Sequence, residues 1–397
     1  MTKRFTPNGS VMLKKLVLFL GVLIVSGISP SSALAQRALT DPGGEPYFGE
    51  TLCLPGAYMQ TSPDCLPLGP SQYLTDLARA GIEYPFTPLP VTLRDPELNK
   101  LEYKYARINV TPPEQAPVYS TVDDALSGGA PVTYIPAGYL LYVSYKDRYD
   151  VDGAHYVFLR RNVWMRASPA EYKDFQGLIF RDEPAYPPGW IIDQARARVS
   201  PGYLSPEIGE VMQHGKLVTV YAVQRANDTD WYMIGINRWV ERRYIRVLEI
   251  MHAPPEGVTN GRWIDINLYQ QTLSVYDNGQ LRYATLIASG LKPFYTRPGL
   301  FKISEKKPIE TMSSGDLSDY YYLEDVPWTM YFDKRRAIHG AYWRAMFGFP
   351  QSHGCVNMSV GDARWVYEWA NEGDWVYVHD PSGETPTDDA AYTDGGA

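Results

Sequence analysis

Two His-Gly pairs, His339-Gly340 and His353-Gly354, lie in the stretch "IHGAYWRAMFGFPQSHGCVNMS", and the second leads directly into Cys355. A thiol becomes a useful nucleophile when a nearby base removes its proton, and that base needs an acceptor to orient its other ring nitrogen. Both histidines are candidates. His353 shares the cysteine's own loop, whereas His339 ends the separate strand "RAIHG", and a base on rigid structure does not depend on the nucleophile's loop for its position. The carbonyl of Gly340 or a buried side chain can accept the second ring proton. Gly354 permits a tight bend that exposes Sγ and turns backbone N–H groups outward, so that the N–H of Cys355 and a neighbour can stabilise an oxyanion. Residue types and context point to acyl transfer through a thioester. A cysteine kept only for packing would have apolar neighbours; here they are Ser352, His353, Gly354 and Asn357.

Strands carry most of the elements that must hold this motif. "RWIDINLYQQTLSVYDNGQLRYATLIAS" predicts two strands and, after the Asp277-Asn278-Gly279 turn, a third. "GLFKIS" and "WTMYF" add further strands before His339. Beyond the cysteine, Ser359 and Asp362 have capping-box spacing and open a short helix that stops at Gly373. "WVYVH" is the last strand, with His379 a surface residue at its end, and 380–397 is an acidic, disordered tail by composition.

Upstream, the chain begins as a targeting device. Lys14 and Lys15, the apolar run Leu16 to Ile28 and the Ala33-Leu34-Ala35 ending predict a signal peptide over 1–35, readable equally from Met12; an uncleaved anchor is the alternative. Cys53 and Cys65 lie in a Pro/Gly-rich loop where an oxidising compartment would close a disulfide, which leaves Cys355 as the odd thiol. "GPSQYLTDLARAGI" predicts a short helix within an N-terminal segment, 36–100, that ends in a Pro-rich linker. A net charge of −8 with scattered basic residues excludes a nucleic-acid surface.

Between 101 and 250 the pattern is mainly β and looks duplicated. The stretch from Gly138 and the stretch from Gly215 each have a Gly-led strand, a polar loop, an aromatic-Tyr strand and a Trp near the next strand, Trp164 and Trp239. Both resemble bacterial SH3-like modules, which implies small tandem β-barrels at 101–175 and 176–250. Their aromatics read as core, with a wall glycan or peptide groove near Tyr156, Trp231 or Trp239 as the functional alternative.

The motif, together with "RPGLFKI" before it, the helix and the last strand, resembles the L,D-transpeptidase (YkuD-like) catalytic domain over 260–379. The resemblance implies a mainly β-sheet catalytic domain with a short helix after the catalytic cysteine. Cys355 is then the nucleophile that attacks a peptidoglycan stem tetrapeptide and releases D-Ala, with His339 as base and Gly340 orienting it. Ser352, His353 and Gly354 match the segment shaping the oxyanion site and cleft. A stem amine as acceptor gives a 3-3 cross-link; water gives carboxypeptidase activity. Asn357 stands where many members carry Arg, a detail of substrate contact or loop support, and Tyr331 is placed to line the cleft or the core. The enzyme is expected outside the cytoplasm, wall-associated, with no cofactor. A zinc site built from His339, His353 and Cys355 is chemically permissible, but no HExxH or Cys-x-x-Cys spacing supports it. A cysteine endopeptidase and a non-catalytic wall-binding protein are the remaining alternatives.

Overall fold

The computed structural model describes residues 77, 80–83, 86, 88–90, 95–110, 113–170, 174, 177–314 and 320–392. The expected signal segment and most of the helix expected over 69–82 lie outside them. The chain divides into compact units 1–81 and 82–397, and the elements below belong to the second.

Two sheets frame the catalytic region. In one of six strands the order is Gly299–Lys302, Trp375–His379, Trp263–Asn267, Thr272–Asp277, Gln280–Leu286 and Leu178–Ile179. The hairpin predicted at Asp277-Asn278-Gly279 forms as read: Asp277 pairs with Gln280, and Asn278 and Gly279 both have positive φ, as a primed two-residue turn requires. The other sheet, of nine strands, starts at Val356–Met358 and continues through Arg336–Gly340, Tyr321–Asp333, Leu140–Val151, Lys104–Arg107 and Ser168–Pro169. Its strand Tyr321–Asp333 also pairs with Glu305–Ser313 in a long hairpin. Strand alternation sends Met330, Ile338, Val356 and Met358 to one face, where they meet Ile264, Ile266, Leu273 and Val275 of the six-stranded sheet. The helix Val360–Trp369 closes this core with Ala363 and Val366.

Helix entry follows the predicted cap in part. The Asp362 N–H donates to Ser359 Oγ at 3.2 Å. The Asp362 carboxylate points elsewhere: it accepts from the Gly177 N–H at 2.6 Å, from Thr285 Oγ1 at 2.7 Å and from the Tyr283 hydroxyl, fastening the helix to the edge of the six-stranded sheet.

The expected tandem SH3-like barrels do not form, because among the described residues no sheet closes on itself. In the first of the two stretches, Leu140–Val151, Ala154–Leu159 and Trp164–Arg166 pair in series. They are extensions of the nine-stranded sheet, since Leu140, Leu141 and Tyr142 pair in parallel with Tyr321, Tyr322 and Leu323 of the long hairpin. The second stretch folds as two open sheets, one of five strands spanning 195–241 and one of three formed by Pro188–Ile191, Leu217–Thr219 and Ile245–Val247. Their shared core holds Ile191, Ala197, Met212, Val218, Val240 and Ile245. Alternating β patterns are compatible with either topology; a strand edge captured by a distant hairpin opens what would otherwise close.

The expected Cys53–Cys65 disulfide falls on residues that are not described. Among the described residues no sulfur pair stands at bonding distance and Cys355 is a free, buried thiol.

Candidate active site

Cys355 and His339 come to one face of the sheet because the strand that ends at Gly340 runs parallel to the one that Cys355 leads into. Arg336–Gly340 pairs with Val356–Met358 in a register that sets His339 opposite Asn357. With a side-chain period of two, Ala337 and His339 share one face with Cys355 and Asn357, while Ile338, Val356 and Met358 turn into the core. The strand after Cys355 is also tied to the segment that follows Gln280–Leu286 of the six-stranded sheet: Ala288 and Asn357 exchange backbone hydrogen bonds at 2.9 and 3.0 Å. Nucleophile and base therefore stand on a face fixed from both sides.

The bend before Cys355 is built by side chains as well as by glycine. Gly354 has φ +116°, and a Cβ there would lie 3.2 Å from Arg336 Nε. Ser352 Oγ accepts from the Gly354 N–H at 3.1 Å and donates to the Cys355 carbonyl at 2.5 Å. Ser352 thus staples the loop, and it engages the Gly354 N–H, one of the amides that could have joined Cys355 in an oxyanion site. Thr296 Oγ1 donates to the Gly354 carbonyl at 2.9 Å. Behind the loop, Arg336 pairs with the buried carboxylate of Asp333 at 2.9 Å, and Arg297 pairs with the same carboxylate at 2.6 Å.

The reacting groups are secluded. Cys355 is 2% and His339 1% exposed. Burial pushes the Cys355 thiol up to about 11, opposed by the Ala337 N–H, which donates to Sγ at 3.3 Å. Burial pushes His339 down to about 4, with the Gly340 carbonyl opposing and the Arg344 guanidinium adding to the depression. At neutral pH the resting pair is therefore thiol and neutral imidazole, not a thiolate–imidazolium ion pair. The base acts when the reaction demands it.

His339 Nδ1 lies 3.3 Å from the Gly340 carbonyl, and Nε2 lies 3.1 Å from Asn357 Nδ2. Asn357 Oδ1 in turn accepts from Arg344 Nε at 2.5 Å. Arg344 also donates to Gln351 Oε1 at 2.9 Å and to the Gln351 carbonyl at 2.6 Å. Tyr331 pairs with Ala337, whose N–H meets the sulfur. Burial, then the nearby Glu310 and Cys355, raise the Tyr331 phenol to about 12.

His353 is not brought to the sulfur's hydrogen bonds described above. Its ring packs between Phe294 and Tyr321, with centroids at 4.7 and 5.1 Å. His379, read as a surface residue, is 21% exposed in its side chain and stands 3.0 Å from Asp265. Among the described residues no group of three His, Cys, Asp or Glu is placed to hold a metal ion. Arg344, Thr296 and the Asp333–Arg336 pair escaped sequence reasoning. For Arg344 a signal exists: it is the one charged residue in "AYWRAMFGFPQ", an otherwise largely apolar loop.

Part of the chain is similar to known proteins. Residues 261–378 match the family model of the L,D-transpeptidase catalytic domain, YkuD. That region is an L,D-transpeptidase-family catalytic domain. The YciB protein of Bacillus subtilis (strain 168) is 28% identical over 120 residues, covering 27% of this chain and 59% of its own length. A crystal structure of an L,D-transpeptidase from Stackebrandtia nassauensis is 26% identical over 33% of this chain and 60% of that chain, with a TM-score of 0.27. An L,D-transpeptidase from Mycobacterium smegmatis is 23% identical over 39% of this chain and 68% of that one, with a TM-score of 0.29. The chain thus spans about three-fifths of the first relatives it matches.

Proposed function

We propose that the protein is a peptidoglycan L,D-transpeptidase working outside the cytoplasm at the cell wall. The observation that carries this reading is the placement of Cys355 and His339 on one face of adjacent parallel strands, within the region matching the family. As the hydrogen bond from Asn357 Nδ2 gives way, His339 Nε2 takes the thiol proton and Sγ attacks the carbonyl carbon of the third residue of a stem tetrapeptide. The C–S bond forms, the C–N bond breaks, and terminal D-Ala leaves with the proton from His339. An amine of a second stem then attacks the thioester carbonyl and gives up a proton through His339, which restores the thiol and leaves a 3-3 cross-link. The Cys355 N–H is the oxyanion donor this scheme uses.

Because both groups are buried and neutral at rest, substrate must displace what covers the sulfur before the proton moves. Seclusion of this kind keeps water from the thioester, which favours amine over water as acceptor. Intact-mass measurement tests the scheme: a stem tetrapeptide should leave an adduct of its acyl part on Cys355, discharged by an acceptor peptide. Cys355→Ala should form none. Discharge by water alone would make the protein a carboxypeptidase, and a folded protein that never acylates would overturn the reading.

A further inference from the structure

We propose that Arg344 sets the tautomer of His339 through Asn357, so that the imidazole always carries its proton on Nδ1 and its lone pair on Nε2. The inference rests on His339 being the base, and it concerns two positioning residues, Arg344 and Asn357, that act through it.

Donor and acceptor counting leads there. A guanidinium has N–H donors and no acceptor, so the Asn357 atom that faces Arg344 Nε at 2.5 Å must be the carbonyl oxygen. The amide nitrogen, two donors and no acceptor, then faces His339 Nε2 at 3.1 Å. Two donors cannot meet there, so Nε2 presents its lone pair and the ring proton resides on Nδ1. Nδ1 finds the Gly340 carbonyl at 3.3 Å, a long contact that would hold the tautomer only weakly by itself. With Arg344 in place, an Asn357 flip would set its nitrogen against the guanidinium and its oxygen against the Nε2 lone pair, two mismatches at once. Burial makes such mismatches costly, and His339 and Asn357 are 1% and 2% exposed.

Arg344 is itself fixed from both ends of its loop. Tyr342 stacks on Tyr105 with centroids 3.6 Å apart, and its hydroxyl donates to the Glu324 carbonyl at 2.7 Å. At the other end Arg246 Nε donates to the Gly348 carbonyl at 2.8 Å. The two bonds to Gln351 complete the hold on the guanidinium. Among the described residues, Arg344 is the charged group that acts on His339 electrostatically, and its charge also disfavours imidazolium. A neutral ring of one tautomer is the result.

The test reads the tautomer directly, with no substrate. Nitrogen-15 spectra of histidine-labelled full-length protein, with the His339 signals assigned by their loss in His339→Gln, should show a single Nδ1–H form at pH 7. Arg344→Met should lose that single-tautomer signature and give a mixture, while Arg344→Lys, which retains a donor, should restore it at least in part. Asn357→Asp should invert the pattern, because a carboxylate accepts from both neighbours and calls a proton onto Nε2; the His339 titration should move upward with it. A pure Nδ1–H spectrum in folded Arg344→Met, or in folded Asn357→Asp, would overturn the inference. If Arg344→Met fails to fold, the Asn357→Asp spectrum decides alone. Acylation by tetrapeptide in the same preparation separates this inference from the function it rests on: unmoved tautomers with normal acylation sink the relay only, and the predicted tautomers without acylation sink the transpeptidase reading only.

Discussion

The two upstream β regions look like copies in sequence and are built into the molecule in different ways. The first, around Leu140–Val151, shares a sheet with the catalytic strands: its edge pairs in parallel with Tyr321, Tyr322 and Leu323. Its Tyr105 and Tyr142 lie in one buried cluster with Met312, Val326, Tyr342 and Val360. The second, 188–247, keeps its strands to itself and reaches the catalytic region through side chains, such as Gln270 Nε2 donating to the Tyr232 hydroxyl at 2.9 Å and Arg246 to Gly348. Both touch the loop between His339 and Cys355, one at Tyr342 and the other at Gly348 and Phe349. Similar strand patterns can thus serve as sheet extension in one place and as a neighbour in another, because the pattern specifies faces and leaves the edges open.

Deletion breaks this comparison most severely. Removing residues 101–170 should strip a buried partner from the long hairpin, expose its strand edge, and yield aggregated protein without a cooperative unfolding transition. Removing 187–249 with a short flexible linker should leave a folded, less stable catalytic region. Equal behaviour of the two deletions in thermal unfolding and solubility would erase the distinction.

Point substitutions sharpen it. Tyr105→Ala removes a ring stacked on Tyr342 and a hydroxyl that donates to the Asp325 carbonyl at 2.8 Å, and should cost about 3–5 kcal/mol in urea unfolding. Trp231→Ala, which removes a 1% exposed indole bonded to the Ala226 carbonyl, should cost a similar amount within the second region. The two should part in their effect on the active site: alkylation of Cys355 should quicken in Tyr105→Ala as the loop loosens and stay near the wild-type rate in Trp231→Ala.

Acid is the mildest of the three probes. The folded His339 takes a proton near 4 and an unfolded one near 6.5, so the unfolded chain binds the proton first as pH falls. Stability from this group is full above about 6.5 and declines toward 4, by about 3 kcal/mol. Hydrogen exchange at pH 7 and 4.5 should show the loss of protection at Ile338 and Val356 and a smaller change at Trp190 and Ile191. A uniform loss would place the acid sensitivity elsewhere.

Much of the site was legible in the sequence, and for identifiable reasons. His339 and Cys355 stand out because strand ends and glycine bends leave marks in residue type, and the hairpin at Asn278-Gly279 is local chemistry. Arg344 is different: its role depends on a loop whose course is set by Tyr105 and Arg246, far away in sequence, so no spacing rule reaches it. The open sheets escaped for the same reason, since the pairing of Leu140–Tyr142 with Tyr321–Leu323 leaves both strands with an ordinary alternating pattern. Asp362 shows the intermediate case, a cap residue correctly placed whose carboxylate found partners in a sheet edge instead of its own helix.

The near-complete burial of Cys355 also governs how the protein ages. Oxidants attack thiolate, and step by step carry sulfur to sulfenic and then irreversible sulfinic and sulfonic acids. A sulfur that is both covered and protonated presents neither the form nor the access this damage requires. Idle molecules should therefore outlast peroxide that would spoil an exposed low-pKa thiol, and wear should accumulate with each opening of the site, so that lifetime is counted in turnovers more than in hours.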